Sequence, residues 1–271
     1  MTLAVMLFLG CASGFTDTLL SMVTVPPGTV VAEGDTVTVD QMLESLSEAE
    51  VVFVGEKHDD PLAHAWELFL WSRLASPERA LALEMFETDV QEMLDGYLAG
   101  AVTGEEFLSG SRPWGNYLWD YAFLVELARL GGYRVIAANV PRHFASDVAR
   151  GGWEALADEE FFHELDVDSS STLYRDLFLE TMGLVGDRMH EMPMDPMNMY
   201  RAQLLKDAVM AASVQGRKCL FVCGSFHSDY HSGIPDQLQE GVSFMTVKVL
   251  AEGEEYFPDM ADYVILPGSV Y

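Results

Sequence analysis

The chain is 271 residues long and 49% apolar with 11% aromatics, which excludes disorder and suffices for one α/β domain with a sizeable core. Its 43 acidic and 15 basic residues give a net charge of −28, a field that repels nucleic acid and anionic lipid and excludes both as partners. The acidity itself reads as a solvated surface.

Residues 3–10, Leu-Ala-Val-Met-Leu-Phe-Leu-Gly, form an apolar run ending at Cys11. That length suits a signal-peptide core and is too short to span a bilayer. Gly10 before Cys11 is similar to a bacterial lipoprotein signal, although Phe8 and Leu9 are not the usual residues there and no Lys or Arg precedes the run. The expectation is a signal or lipoprotein-like segment at 1–20 and one α/β domain at 21–271. The protein is then exported, either periplasmic or lipid-anchored to a bacterial membrane.

Residues 25–39 predict a hairpin turning at Glu33-Gly34-Asp35, and Asp40 is placed to cap a short helix ending near Glu48. Val51-Val52-Phe53-Val54 predicts a strand buried on both faces, as in a parallel sheet. Gly55 ends it, Glu56 and His58 follow, and Asp59 or Asp60 caps a helix starting near Pro61. Leu62, Trp66, Phe69, Leu70 and Leu74 recur at helical spacing over 61–75, so His64 reads first as a surface histidine, with a ligand six residues after His58 as the alternative.

The strand pattern recurs at Ala80–Leu83, leading into Glu84-Met85-Phe86-Glu87, and at Arg134–Ala138, leading into Asn139-Val140-Pro141-Arg142. Between them lie helices at 87–98 and 103–108, a loop at 112–117, and a helix at 118–130 closed by Gly131-Gly132. Such alternation predicts right-handed crossovers and a parallel sheet. From about 141 to 199 helical pieces follow one another with no strand, predicting a helical lid over the carboxyl edge of the sheet. The lid ends in a Met-rich stretch, Met189-His190-Glu191-Met192-Pro193-Met194-Asp195-Pro196-Met197-Asn198-Met199-Tyr200. A long helix over 196–215 carries Tyr200, Gln203 and Asp207 on one face. Closing strands are predicted at Cys219–Cys223, 243–249 and 262–266. Cys219 and Cys223 lie about 13 Å apart on one strand face, too far to bridge, and read as core residues.

Ligands of open α/β sheets sit outside the carboxyl ends of the strands. Four predicted strand ends bring Glu56 with His58, Glu84, Asn139 and His227 there. Two readings stay open. His58, His227, Glu56 and Glu84 are the ligand types of a divalent site such as zinc with one open position. Alternatively Glu56 and Glu84 are carboxylates for hydrolysis, one as general base. The methionines either fill gaps at the lid, bind copper(I) with His190, or line an apolar pocket for a flat ligand whose iron His190 or Tyr200 approaches. No Walker A, G-x-G-x-x-G, G-x-S-x-G or H-E-x-x-H pattern occurs.

Val54-Gly55-Glu56-Lys57-His58-Asp59, Leu83-Glu84-Met85-Phe86-Glu87, Asn139-Val140-Pro141-Arg142, Tyr200-Arg201-Ala202-Gln203 with Asp207 and Met210, and Gly224-Ser225-Phe226-His227-Ser228-Asp229-Tyr230 occur in that order. Over roughly residues 40–250 this set resembles the ChaN-like family of haem-binding bacterial lipoproteins, within a wider superfamily of Tiki/TraB proteins and erythromycin esterases. The resemblance implies a mainly parallel sheet flanked by helices, haem as the cofactor and partner, a homodimer, and outer-membrane or periplasmic haem-uptake components as partners. With haem as the ligand, Tyr200 and then His190 are the candidates at the iron, Gln203 and Asp207 share the helix face of Tyr200, and Arg142, Arg201 and Lys57 lie at the predicted mouth as cations for the propionates. The relatives' chemistry keeps a metal-dependent esterase- or peptidase-like hydrolase as the alternative.

Overall fold

Hydrophobic alternation along the strands decides which helix packs on which face of the sheet. The computed structural model describes residues 22–183 and 194–268. The apolar run, Cys11 and His190 with its neighbours Met189 and Met192 therefore lie outside the described residues. Among the described residues no helix is long and apolar enough to cross a membrane.

The hairpin forms as β1 (Thr29–Ala32) and β2 (Asp35–Thr36), with Glu33 and Gly34 at positive φ in the turn. Helix α1 (Val39–Glu48) follows, capped by Thr38 and not by Asp40. Thr38 and Gln41 make a reciprocal capping box, which satisfies two first-turn N–H groups at once. Strand β3 (Val51–Glu56) leads to helix α2 (Pro61–Leu74), where Asp60 accepts from the Leu62 N–H and Pro61 opens the first turn. Strand β4 (Arg79–Glu87) is longer than its apolar run suggests, with all nine residues buried and a register shift against its neighbour between Leu83 and Glu87.

Helices α3 (Gln91–Leu98) and α4 (Gly104–Gly110) come next. The helix expected at 118–130 is two helices, α5 (Tyr117–Asp120) and α6 (Ala122–Gly131), broken at Tyr121, and Gly132 at φ 68° ends the second. Strand β5 (Val135–Asn139) precedes helices α7 (Arg142–Gly151), α8 (Glu160–Glu164) and α9 (Thr172–Thr181). Helix α10 (Pro196–Val214) returns the chain to β6 (Lys218–Gly224), β7 (Phe244–Val249) and β8 (Tyr263–Leu266).

The sheet has eight strands in the order β2-β1-β8-β7-β3-β6-β4-β5. The run from β8 to β5 is parallel, and the N-terminal hairpin adds antiparallel to β8. Val52, Val54, Leu81, Leu83, Leu220 and Val222 face a core shared with Met42, Leu46 and the apolar side chains of α2 and α6. Val51, Phe53, Ala80, Ala82, Cys219, Phe221 and Cys223 face the other way, onto Met210, Ala211 and Val214 of α10. Both cysteines are therefore free, buried core residues on one face. The same alternation sends Glu56 of β3 toward α2 and Glu84 of β4 toward α10, so two carboxylates leave the strands on either side of β6 toward opposite faces.

Candidate functional site

On the α10 side, Glu84 Oε2 accepts from the Gly224 N–H at 2.8 Å, and Glu84 Oε1 lies 3.3 Å from His227 Nε2. The other imidazole nitrogen of His227, Nδ1, bonds Asp207, whose second oxygen accepts from the Tyr174 hydroxyl at 2.6 Å. Gln203 Nε2 reaches both Tyr174 and His227 at 3.3 Å. Glu84, Asp207 and His227 are all buried. Burial pushes the Glu84 carboxyl up, but the charge and hydrogen bond of His227 outweigh it and bring Glu84 down to about 2. Burial likewise disfavours a charged His227, yet Glu84 and Asp207 together raise it to about 10. Asp207 is itself raised by burial, so Glu84 is the firmer carboxylate of the pair holding the imidazolium.

On the α2 side, Glu56 Oε1 accepts from His58 Nδ1 at 2.8 Å and from the Tyr121 hydroxyl at 2.5 Å. Burial pushes Glu56 up, but the hydrogen bonds from His58 and Tyr121 help to leave it below its ordinary value. His58 is lowered by burial and raised more by Glu56 and Glu84, so it ends above its ordinary value. Its ring stands edge-on to Trp114 with centroids 4.4 Å apart. A Cβ built on Gly224 would meet His58 Cε1 at 2.9 Å, so only glycine lets the imidazole lie against that strand end.

Above these groups opens a cleft of about 710 Å³ between the sheet edge, α7, α9 and α10. His58, Glu84, Asn139 and Gln203 form its polar lining, Trp114, Val140, Phe178 and Met199 its apolar walls, and Arg142 and Lys206 its cations. Arg142 Nε also bonds Glu87, which Arg112 reaches from the other side at 3.0 Å.

The structure thus brings Glu56, His58, Glu84 and His227 to one edge, with Gln203 and Asp207 holding His227. Tyr200 goes elsewhere. Its ring packs on Tyr174 and Phe178, its hydroxyl points 3.5 Å from the Ser171 carbonyl, and burial with the Asp207 charge pushes the phenol up to about 12. Lys57 pairs with Asp59 at 3.5 Å on the surface, and Arg201 bonds Asn198 at 2.6 Å; neither lines the cleft.

His64 corrects its expectation as a surface residue: it is buried and faces Glu56 and Glu67. The signal was in the sequence, because α2 has no continuous polar face for it to join. Trp114, Tyr174 and Lys206 are site residues with no such signal.

A mainly parallel sheet with two carboxylate–imidazole networks under one cleft defines an α/β protein with a candidate ligand site at the carboxyl edge of its strands. The model of the family described as "Haem-binding uptake, Tiki superfamily, ChaN" matches residues 42–238, more than half of the chain, and the protein belongs to that family. The solved structure titled "Cofacial heme binding to ChaN of Campylobacter jejuni" is 20% identical with a TM-score of 0.72, covering 90% of this chain and 98% of that one, and shows the shared fold. The type III effector HopBA1 is 14% identical with a TM-score of 0.45, over 91% of this chain and 97% of its own. No curated protein matches the chain.

Proposed function

We propose that this protein binds haem in the cleft at the carboxyl edge of its sheet and serves haem uptake or handling. The cleft carries this reading. Its volume of about 710 Å³ falls within the roughly 300–1,000 Å³ usual for small-molecule sites. Apolar walls with two cations at hand suit a flat macrocycle bearing carboxylates, and Arg142 and Lys206 are the groups to pair with the propionates. Family membership supports the same ligand.

His58 is the described imidazole in the cleft. Glu56 engages its Nδ1, which leaves Nε2 for iron, in the way that a carboxylate commonly orients a metal-bound histidine. His190 stays a candidate from sequence; Met182 and Met194, on either side of the undescribed residues that include it, both line the cleft. Tyr200, packed into its aromatic cluster, is set aside. The wider reading includes export, supported by the run before Cys11, and a homodimer, supported by the exposed Leu118, Trp119 and Phe123.

Electron paramagnetic resonance of the ferric complex tests the axial ligand. His58→Ala or His190→Ala changes the signal on this proposal, and Tyr200→Phe leaves it unchanged. A tyrosinate signal lost in Tyr200→Phe overturns the assignment.

One observation favours hydrolysis as a second reading: the chain Tyr174–Asp207–His227–Glu84 makes the cleft floor more charged than haem requires. Glu84, held at about 2, is a weak base, so Glu56 or His58 would have to move the proton. Turnover of an ester or amide by wild type, lost in Glu56→Gln, would favour this reading; inactivity of wild type across such a panel would reject it.

A further inference from the structure

Beneath the cleft floor, strand alternation turns Glu56 onto α2, and the i, i+3 spacing of His64 and Glu67 turns both toward that carboxyl. Glu56 Oε2 lies 3.2 Å from His64 Nδ1, and Glu67 Oε2 lies 3.1 Å from the same nitrogen. Their side chains are 1%, 8% and 0% exposed for Glu56, His64 and Glu67. The far nitrogen of His64, Nε2, sits 3.2 Å from the His58 carbonyl and 3.7 Å from Asp120 Oδ2. Both are acceptors, so Nε2–H has partners there when Nδ1 gives its lone pair to an ion held between the two carboxyls. Glu56 Oε2 and Glu67 Oε1 are buried and accept no hydrogen bond from a described donor group. A proton shared between the carboxyls can relieve them, and burial with the Glu56 charge does push Glu67 well above its ordinary range.

We propose that Glu56, His64 and Glu67 form a buried site for a divalent first-row metal ion of the zinc class.

Imidazole nitrogen and carboxylate oxygen are the ligand atoms such an ion takes. Bonds of about 2.0–2.1 Å to a tetrahedral centre put neighbouring ligands roughly 3.3 Å apart, close to the 3.1 and 3.2 Å found here. The three candidate ligand atoms all lie within 4.8 Å of one another. Two carboxylates neutralise a divalent ion, so the filled site adds no net charge to the interior, and Glu67 no longer has to keep a proton. The surrounding bonds are those a metal site needs: His64 Nε2–H is held by the His58 carbonyl, while Glu56 Oε1 is held by His58 and Tyr121. The ligand set differs from the one read from sequence. His58 is an orienting neighbour here, and His227 is taken up by Glu84 and Asp207. Three protein ligands leave the fourth position to water, and the ion fixes Glu56 and, through it, the imidazole at the cleft floor; the site does not depend on haem.

The full-length chain, free of haemin, is stripped with a chelator, dialysed against ZnCl₂ or CoCl₂, and analysed for metal. The expected result is one ion per chain, a rise in melting temperature on adding ZnCl₂, and the visible d–d bands of four-coordinate Co²⁺. Glu67→Gln, nearly isosteric, and His64→Gln should each weaken binding at least tenfold while keeping the far-UV spectrum, and Glu84→Gln should bind as wild type does. Substoichiometric metal in wild type overturns the proposal, as does equal binding by folded Glu67→Gln, or loss of metal in Glu84→Gln instead. If neither α2 variant folds, wild-type stoichiometry together with the Co²⁺ spectrum decides.

Discussion

Replacing His227 by Gln removes the one cation between two buried carboxyls, Glu84 and Asp207, and leaves volume nearly unchanged. Breaking a buried, hydrogen-bonded charge pair by removing one partner costs about 3–5 kcal/mol. At roughly 2–4 °C per kcal/mol for a chain near this size, the melting temperature should fall by about 6–20 °C at pH 7. The pH dependence gives a second reading of the same group. His227 is raised from 6.5 to about 10, so its contribution is full below 6.5 and is lost as pH rises toward 10. Glu84 is lowered from 4.5 to about 2, so its contribution is full above 4.5 and is lost as pH falls toward 2. Wild type should therefore gain most from this network between pH 4.5 and 6.5. In His227→Gln the carboxyls lack their cation and are pushed up, so the variant recovers stability as the pH is lowered toward 5. Calorimetric or circular-dichroism melts from pH 5 to 9 measure both effects. A loss of less than 2 °C at pH 7 with the wild-type pH slope retained would refute the reasoning; about 2 °C is the least that a single broken hydrogen bond would give.

Gly224→Ala places a methyl 2.9 Å from His58 Cε1, so the ring must swing away; haemin spectra should change far more than the far-UV spectrum does. Arg142→Ala combined with Lys206→Ala should weaken haemin affinity by about 5–30-fold, from about 1–2 kcal/mol for two partly exposed ion pairs, and reduce its salt dependence, as followed by titration at two salt concentrations. Tyr174→Phe removes the donor to Asp207 Oδ2 and should cost about 1–3 kcal/mol in denaturant unfolding.

Much of the sheet was legible because strands covered on both faces read as unbroken apolar runs, as at Val51–Val54 and Cys219–Cys223. The strand-end polar groups followed from the same pattern, since side chains just past such a run have nowhere else to go. Gln203 and Asp207 share a face by helical spacing, and both meet His227. Tyr200 shares that spacing but is drawn into packing with Tyr174 and Phe178, residues more than twenty positions away that no local pattern ties to it. His64 was misread for a different reason. The helical spacing of Leu62, Trp66, Phe69, Leu70 and Leu74 leaves His64 off their stripe, whereas Trp66, Phe69, Leu70 and Trp71 bury α2 on several sides and take His64 and Glu67 inside with them. The break at Tyr121 was hidden because the apolar spacing runs through it, although the residue there turns its hydroxyl onto Glu56.

The central claim is that haem occupies the cleft, and titration of the full-length chain with haemin, beside a cleft-filling variant, tests it most directly. Ala149 lines the cleft on α7, so Ala149→Trp should occupy the space and leave the sheet untouched. The account predicts a saturable shift of the Soret band in wild type, and its loss in Ala149→Trp with folding intact. Haemin spectra identical to those with a neutral control protein, or a shift equally strong in Ala149→Trp, would contradict it.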